Sequence, residues 1–207
     1  MIPEGFILFV SAAVLLCIVP GPDMVFLLSR TIAQGKKAGY LAALGINVGA
    51  YVHLIAAVLG LSALLAASSL AFTLVKWLGA AYLIYLGFGA LRARSGPLAI
   101  NSKGLDAQSH RAIFWQGFWS DVLNPKVATF FLAFLPQFVN PAAGNYLWQL
   151  LFLGVTVNMI GIAINVVLVY ASGTVTRLLR QDPRIARYLG KAMGLVLLGL
   201  GIRLAGE

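Results

Sequence analysis

The chain has 207 residues, of which 60% are hydrophobic and 10% charged, with a mean hydropathy of +0.91. A soluble domain is about a quarter charged, so water is excluded as the solvent for most of this surface, and lipid is left. The net charge of +9 does not indicate nucleic acid, because the positives sit in short clusters between apolar runs, the pattern of orientation signals facing anionic headgroups.

A membrane crossing needs roughly 20 apolar residues. The first predicted crossing runs from about Gly5 to Leu28 and is interrupted at Pro20-Gly21-Pro22. Its first charge is Glu4 instead of a basic n-region, and no clear small-x-small cleavage site follows, so it reads as an uncleaved membrane helix. The single cysteine, Cys17, excludes an internal disulfide and a cysteine metal site, and reads as a small buried hydrophobe. A basic turn with Arg30, Lys36 and Lys37 follows. Between Ala38 and Val75 no residue carries a full charge. That is too long for one crossing, so a second crossing, a turn at Ser68-Ser69 and the start of a third, ending near Leu91, are predicted. The polar stretch Arg92 to Arg111 reads as an exposed loop. A fourth crossing, about Ile113 to Val139, is interrupted at Asn124-Pro125. Asn140-Pro141 with Gly144-Asn145 makes a turn. The fifth crossing is about Tyr146 to Ser172, Arg177 to Lys191 is a basic loop, and the sixth crossing is about Tyr188 to Leu204.

Twelve of the fifteen Lys and Arg fall in the three loops between crossings one and two, three and four, and five and six. The positive-inside rule then puts both termini outside the cell. The two halves also resemble one another. Trp77-Leu78-Gly79-Ala80-Ala81 parallels Tyr188-Leu189-Gly190-Lys191-Ala192, Leu44-Gly45 parallels Leu153-Gly154, and the proline break of crossing one falls on that of crossing four. Three crossings per half invert the second copy, an arrangement typical of transporters. The predicted fold is therefore an all-α polytopic membrane protein with about six transmembrane helices in a three-plus-three inverted repeat. It forms one domain, with repeat one over about 1–91, a cytoplasmic loop over about 92–112 and repeat two over about 113–207.

Proline inside a membrane helix removes an N–H and frees a carbonyl one turn upstream. In lipid that bare backbone must be satisfied by protein or by a water-filled cavity. Half-helix N-termini attract a carboxylate, and freed carbonyls attract an ammonium or a cation. An amino acid carries both groups. Pro20, Gly21, Pro22, Asn124 and Pro125 are therefore candidate binding residues. A charge at a helix centre costs about 2.5–3.5 kcal/mol on insertion scales, which makes Asp23, Asp121 and Lys126, beside the breaks, candidates for solute or proton handling. The bland alternative is a structural ion pair between Asp23 and Lys126, with Asp121 near a wet cytoplasmic end. Asn47, His53, Asn158 and Asn165 lie inside crossings two and five. His53 is the only histidine inside a crossing, and because imidazole is the side chain whose charge can change near neutral pH it is a candidate for proton coupling; otherwise these side chains act as interhelical hydrogen bonds.

Four stretches together resemble the lysine exporter (LysE)/RhtB family of bacterial amino-acid exporters, over nearly the whole chain. They are Pro20-Gly21-Pro22-Asp23, Leu44-Gly45 through His53, Val75-Lys76-Trp77-Leu78-Gly79-Ala80-Ala81-Tyr82-Leu83, and Asn124-Pro125-Lys126 followed by Phe134-Leu135-Pro136-Gln137-Phe138-Val139. The resemblance implies export of amino acids or related metabolites across the bacterial inner membrane, driven by antiport of protons. The implied partners are an amino-acid-like solute, protons and the bilayer, with no nucleic acid and no cofactor; a homo-oligomer is compatible. No G-x-x-x-x-G-K-[ST] phosphate loop is present. One departure is Asp121, where the family often has asparagine three residues before Asn-Pro-Lys, and this leaves the substrate's charge open.

The competing readings are a metal-ion or other cation exporter of the same superfamily, an intramembrane enzyme and a non-transporting adaptor. Few membrane carboxylates and no His/Asp/Glu cluster disfavour the first. Ser11, His53 and Asp23 show no triad-like spacing. An adaptor has no use for charges beside broken spans.

Overall fold

A computed structural model describes residues 5–92, 106–140 and 144–206. Lipid leaves no partner for an unpaired backbone group, and every regular element among the described residues is helical. In chain order these are α1 (Phe6–Ile18), α2 (Pro22–Ala67), α3 (Ser69–Arg92), α4 (His110–Val122), α5 (Pro125–Thr129), a π-helical turn (Phe130–Phe134), a 3₁₀ turn (Leu135–Phe138), α6 (Tyr146–Tyr170), α7 (Ser172–Gln181) and α8 (Pro183–Gly206). Pro22–Leu61, Tyr146–Tyr170 and Arg184–Ile202 are long and apolar enough to cross a membrane.

The apolar part of α2 covers 40 residues. At 1.5 Å per residue that is about 60 Å, twice the hydrocarbon thickness. Gly35 divides it. Its φ of 84° and ψ of 173° lie in a region open essentially to glycine alone. The predicted basic turn thus contracts to a one-residue hinge. Arg30 is not part of a loop at all, but lies 6% exposed one turn before the hinge. Only Ser68 separates α2 from α3.

The first segment is a kinked crossing. Near its start, the ring of Phe6 lies 5.8 Å from that of Phe152, and Phe9 lies 5.2 Å from Phe138. Near its end, Leu27 and Leu28 pack with Leu168, Val169 and Leu179. Phe152 and Val169 are seventeen residues apart on α6, about 25 Å along its axis. The segment therefore runs from the end of the molecule near Asn140 and Asn145 (the turn end) to the end near Gly35 (the hinge end).

Crossing four, expected to break at Asn124-Pro125, leaves the helix at Leu123-Asn124 and restarts at Pro125, but the helix beyond Pro125 departs from expectation. Pro136 has no N–H to return to Leu132, and the chain widens into a π turn, with Leu135 N–H reaching the Phe130 carbonyl, before tightening to 3₁₀. Of the predicted turn, Pro141 lies outside the described residues; Gly144 (φ 71°) and Asn145 (φ 47°) are left-handed, and Gln149 hydrogen-bonds to Asn140 and Gly144. The predicted basic loop between crossings five and six is a correction: it is helix α7 plus the first turns of α8, joined at Asp182, whose Oδ1 accepts from the Arg184 N–H at 2.9 Å. Helix α7 buries Thr176 and Leu179 and exposes Arg177 and Gln181. Of the predicted loop 92–112, residues 93–105 lie outside the described residues, and Ser109 Oγ caps α4.

Lipid gives no hydrophobic drive for helix to meet helix, so small residues that let backbones touch carry the packing. Helix α2 packs on α4 and α6, and α3 on α8. A Cβ added at Gly45 would come 2.1 Å from the Phe114 carbonyl oxygen, and one at Gly117 would come 2.6 Å from that of Ala42. Across the α3–α8 contact, a Cβ at Gly201 would come 2.9 Å from the Ala80 carbonyl oxygen. A core of Phe9, Phe131, Phe134, Leu54 and Leu153 fills the turn end.

Candidate functional site

The two breaks share a local plan. Each restarts its helix with proline in the first turn, where the missing N–H is no loss. At the first break, α1 stops at Ile18 and its last carbonyls have lost their helical donors, because Pro20 and Pro22 supply none. Asp23 then lies in the first turn of α2, where a helix N-terminus favours negative charge. At the second break, Asn124 Oδ1 caps α5 by accepting from the Lys126 N–H at 3.0 Å.

The breaks are stitched to each other in both directions. The Asp23 carboxylate accepts from Ser120 Oγ at 2.7 Å and from Asn124 Nδ2. In return Lys126 Nζ donates to the Val19 carbonyl at 2.8 Å, placing a cation on the negative end of α1. Asp23 and Lys126 thus line one site but do not pair: the only ion-pair geometry among the described residues is that of His53 and Asp121. The alternative of a structural ion pair is not what forms: three hydrogen bonds cross between the breaks instead.

A cavity of about 90 Å³ opens between the breaks. Its polar wall holds Asp23, Asn47, Asp121, Lys126, Asn158 and Asn165, with Gly21 beside the Lys126 stem. Leu16, Met24, Ile46, Phe131, Val157 and Leu168 supply its apolar wall. Asp121 is 2% exposed and Asn158 2% exposed, and Asp121 Oδ2 and Asn158 Oδ1 have no hydrogen-bond partner among the described residues. Two buried acceptors without donors are costly. Asp121 is wedged where α4 meets α2, and a Cβ at Gly49 would lie 2.9 Å from the Asp121 Cβ.

His53 stands behind Asp121 instead of in the cavity wall. Its Nε2 lies 3.0 Å from the Asp121 backbone carbonyl and 3.9 Å from Oδ2, and its ring stacks on Phe131. Asn47 bonds back to its own helix at the Ala43 carbonyl, and Asn158 Nδ2 reaches the Asn47 carbonyl at 3.4 Å. Pro22, Asn124 and Pro125 border a second, more open cleft of about 490 Å³, together with Trp115, Gln116, Trp119 and Ser120. Pro20 contributes to the break itself. Sequence reasoning passed over Ser120, although it lies one helical turn before Asn124 and so on the same face. It also took Cys17 for filler, and Cys17 lines the central cavity.

The profile of the LysE type translocator family matches residues 14–207. The chain belongs to the LysE-type translocator family. Relatives align over nearly all of this LysE-type chain. The Bacillus subtilis (strain 168) protein named "Uncharacterized membrane protein YrhP" is 31% identical, covering 97% of this chain and 98% of its own. A "Leucine efflux protein" of Enterobacter sp. (strain 638) is 32% identical over 97% of this chain and 95% of its own, and that of Klebsiella pneumoniae is 30% identical over 97% and 94%. No solved structure matches. This LysE-type chain is thus a polytopic helical membrane protein of a transporter family, with two proline-broken segments meeting at a buried polar cavity.

Proposed function

We propose that this protein is a secondary exporter of amino acids with aliphatic side chains, working out of the cytoplasm across the bacterial inner membrane by proton antiport. The observation that carries the reading is the pair of buried oxygens, Asp121 Oδ2 and Asn158 Oδ1, which have no hydrogen-bond donor among the described residues and belong to side chains that line one small cavity with Lys126. A substrate ammonium satisfies both oxygens. The substrate carboxylate turns to Lys126 and to the free N–H groups at the start of α2. The apolar wall from Leu16 to Leu168 suits a branched aliphatic side chain, and two relatives are named leucine efflux proteins. Asp121, with His53 at its back, carries the proton: protonated, it releases the ammonium; deprotonated, it accepts the next one.

An inverted repeat is supported by element order. Each half runs helix, break, helix, long helix, final helix, and the contacts α2–α6 and α3–α8 join elements that a two-fold axis would exchange. The positive-inside rule supports a cytoplasmic hinge end, with both termini outside.

The test is export from cells loaded with leucine-containing dipeptide. Expression of the wild type should lower internal and raise external leucine, and a protonophore at constant ATP should abolish the difference. Asp121→Asn should accumulate in the membrane yet export at least a hundredfold more slowly, because it keeps the volume and loses the titrating acceptor. Export by Asp121→Asn at the wild-type rate would remove the proposed proton site.

A further inference from the structure

Outside the central cavity, the structure holds one more buried charge. Arg30, 6% exposed on α2, donates from Nη1 to Gln34 Oε1 at 3.2 Å and to the Asp106 carbonyl at 3.3 Å, and from Nη2 to Gln116 Oε1 at 3.2 Å. All three acceptors are neutral. No carboxylate lies within ion-pair distance of Arg30 among the described residues, and the stretch 93–105 contains no acidic residue. A buried cation without an anion is a cost that structural bracing does not explain, since an uncharged donor makes the same bonds. Two of the five guanidinium N–H groups have no acceptor among the described residues. In the same cluster, Gln34 Nε2 donates to the Gln108 carbonyl at 3.0 Å and Gln34 Oε1 accepts from the Gln108 N–H at 3.2 Å, while Gln108 Oε1 is buried without a donor. Through their shared partner Gln34, the cluster thus joins a guanidinium with donors to spare to an acceptor with no donor among the described residues.

A polar seam joins this cluster to the central site. Gln116, Ser120 and Asn124 succeed each other at four-residue spacing, on one face where α4 runs into the break. Gln116 meets Arg30, and Ser120 and Asn124 both meet Asp23, seven residues before Arg30 on α2. All three seam residues border the open cleft of about 490 Å³.

We propose that Arg30 and Gln108 form a capture site for a zwitterionic amino acid at the hinge end of this seam, the guanidinium clasping the carboxylate and Gln108 Oε1 accepting from the ammonium, ahead of transfer to the central cavity. The proposal rests on the export reading above. A permanent fork of N–H donors is the group best matched to a planar carboxylate.

The experiment is leucine counterflow with the full-length protein in membrane vesicles of both orientations. Leucinamide, which lacks the carboxylate, serves as competitor. Arg30→Gln should raise the half-saturation for leucine presented at the hinge end roughly tenfold or more, the loss of one charge-assisted pair. Leucinamide competition and the half-saturation from the turn end should stay unchanged. Arg30→Lys should recover part of the loss. Gln116→Glu gives Arg30 a resident carboxylate 3.2 Å away. It should fold at least as well as the wild type yet show the same one-sided rise. A purely structural Arg30 predicts instead that Gln116→Glu is neutral or beneficial and that Arg30→Gln alters both sides alike; either result would overturn the capture site. Wild-type vesicles with no leucine flux would overturn the export reading and this one together, whereas normal flux with an unchanged Arg30→Gln variant sinks only the capture site.

Discussion

Asn124 performs two tasks with one amide, and a double-mutant cycle can separate them. Its Oδ1 caps α5 and its Nδ2 holds the Asp23 carboxylate. Loss of a helix cap costs about 1 kcal/mol. Loss of a hydrogen bond to a charged group costs about 1.5–3 kcal/mol. Asn124→Ala should therefore destabilise the protein by about 2.5–4 kcal/mol in the wild-type background, leaving Ser120 as the sole side-chain donor to Asp23. In an Asp23→Ala background only the cap remains to be lost, so the same substitution should cost about 1 kcal/mol. The coupling energy between the two sites is the difference, about 1.5–3 kcal/mol, well above what unlinked positions show. Chemical unfolding of the purified protein in mixed micelles, followed by tryptophan fluorescence, gives all four corners of the cycle. Equal costs for Asn124→Ala in both backgrounds would refute the stitching of the two breaks through this amide.

Two further outcomes follow from the packing and the cavity wall. Gly45→Ala drives its Cβ against the Phe114 carbonyl and should cost about 1–3 kcal/mol by the same unfolding measurement, as overpacking does. Gly60→Ala, in a helix where the added Cβ meets nothing within 4 Å, should instead be neutral or stabilise by up to about 1 kcal/mol through helix propensity. Cys17, the chain's single cysteine, lines the central cavity, so a small maleimide should inhibit export, and leucine should slow the labelling. Cys17→Ala should keep export and lose the sensitivity; inhibition that persists in Cys17→Ala would move the reactive wall elsewhere.

Much of this architecture was legible because lipid makes certain residues costly, and cost can be read residue by residue. Proline removes a donor wherever it stands, so the breaks at Pro20-Gly21-Pro22 and Asn124-Pro125 were visible without any knowledge of packing. Asp23, Asp121 and Lys126 were visible for the same reason, and the structure gathers all three around one cavity. What remained hidden depends on how helices rotate against one another. Arg30 looked like a loop residue because Lys36 and Lys37 follow it, but helical phase turns Arg30 inward to Gln116 and leaves Lys36 exposed over the Tyr170 ring. The stretch Arg177 to Lys191 looked like a loop because it is basic, yet a charged stripe on one face is compatible with a helix lying against the protein, and α7 is one.

Partner choice was hidden for a deeper reason. Opposite charges aligned by a repeat allow an ion pair, and that was the bland alternative for Asp23 with Lys126. The breaks offer each of them something else: for Lys126 an orphan carbonyl on a half-helix end, and for Asp23 an amide and a hydroxyl on the opposite helix. A direct pair would leave Val19, Ser120 and Asn124 with buried groups unmet, and an unmet buried polar group costs about as much as a hydrogen bond gains. Crossing the bonds satisfies every one of these groups and leaves Asp121 Oδ2 and Asn158 Oδ1 as the pair of acceptors in the cavity wall with nothing to accept. Two buried acceptors left unmet are costly, so a hydrogen-bond donor set against them is stabilised there, and an uncharged hydrocarbon of the same volume is not.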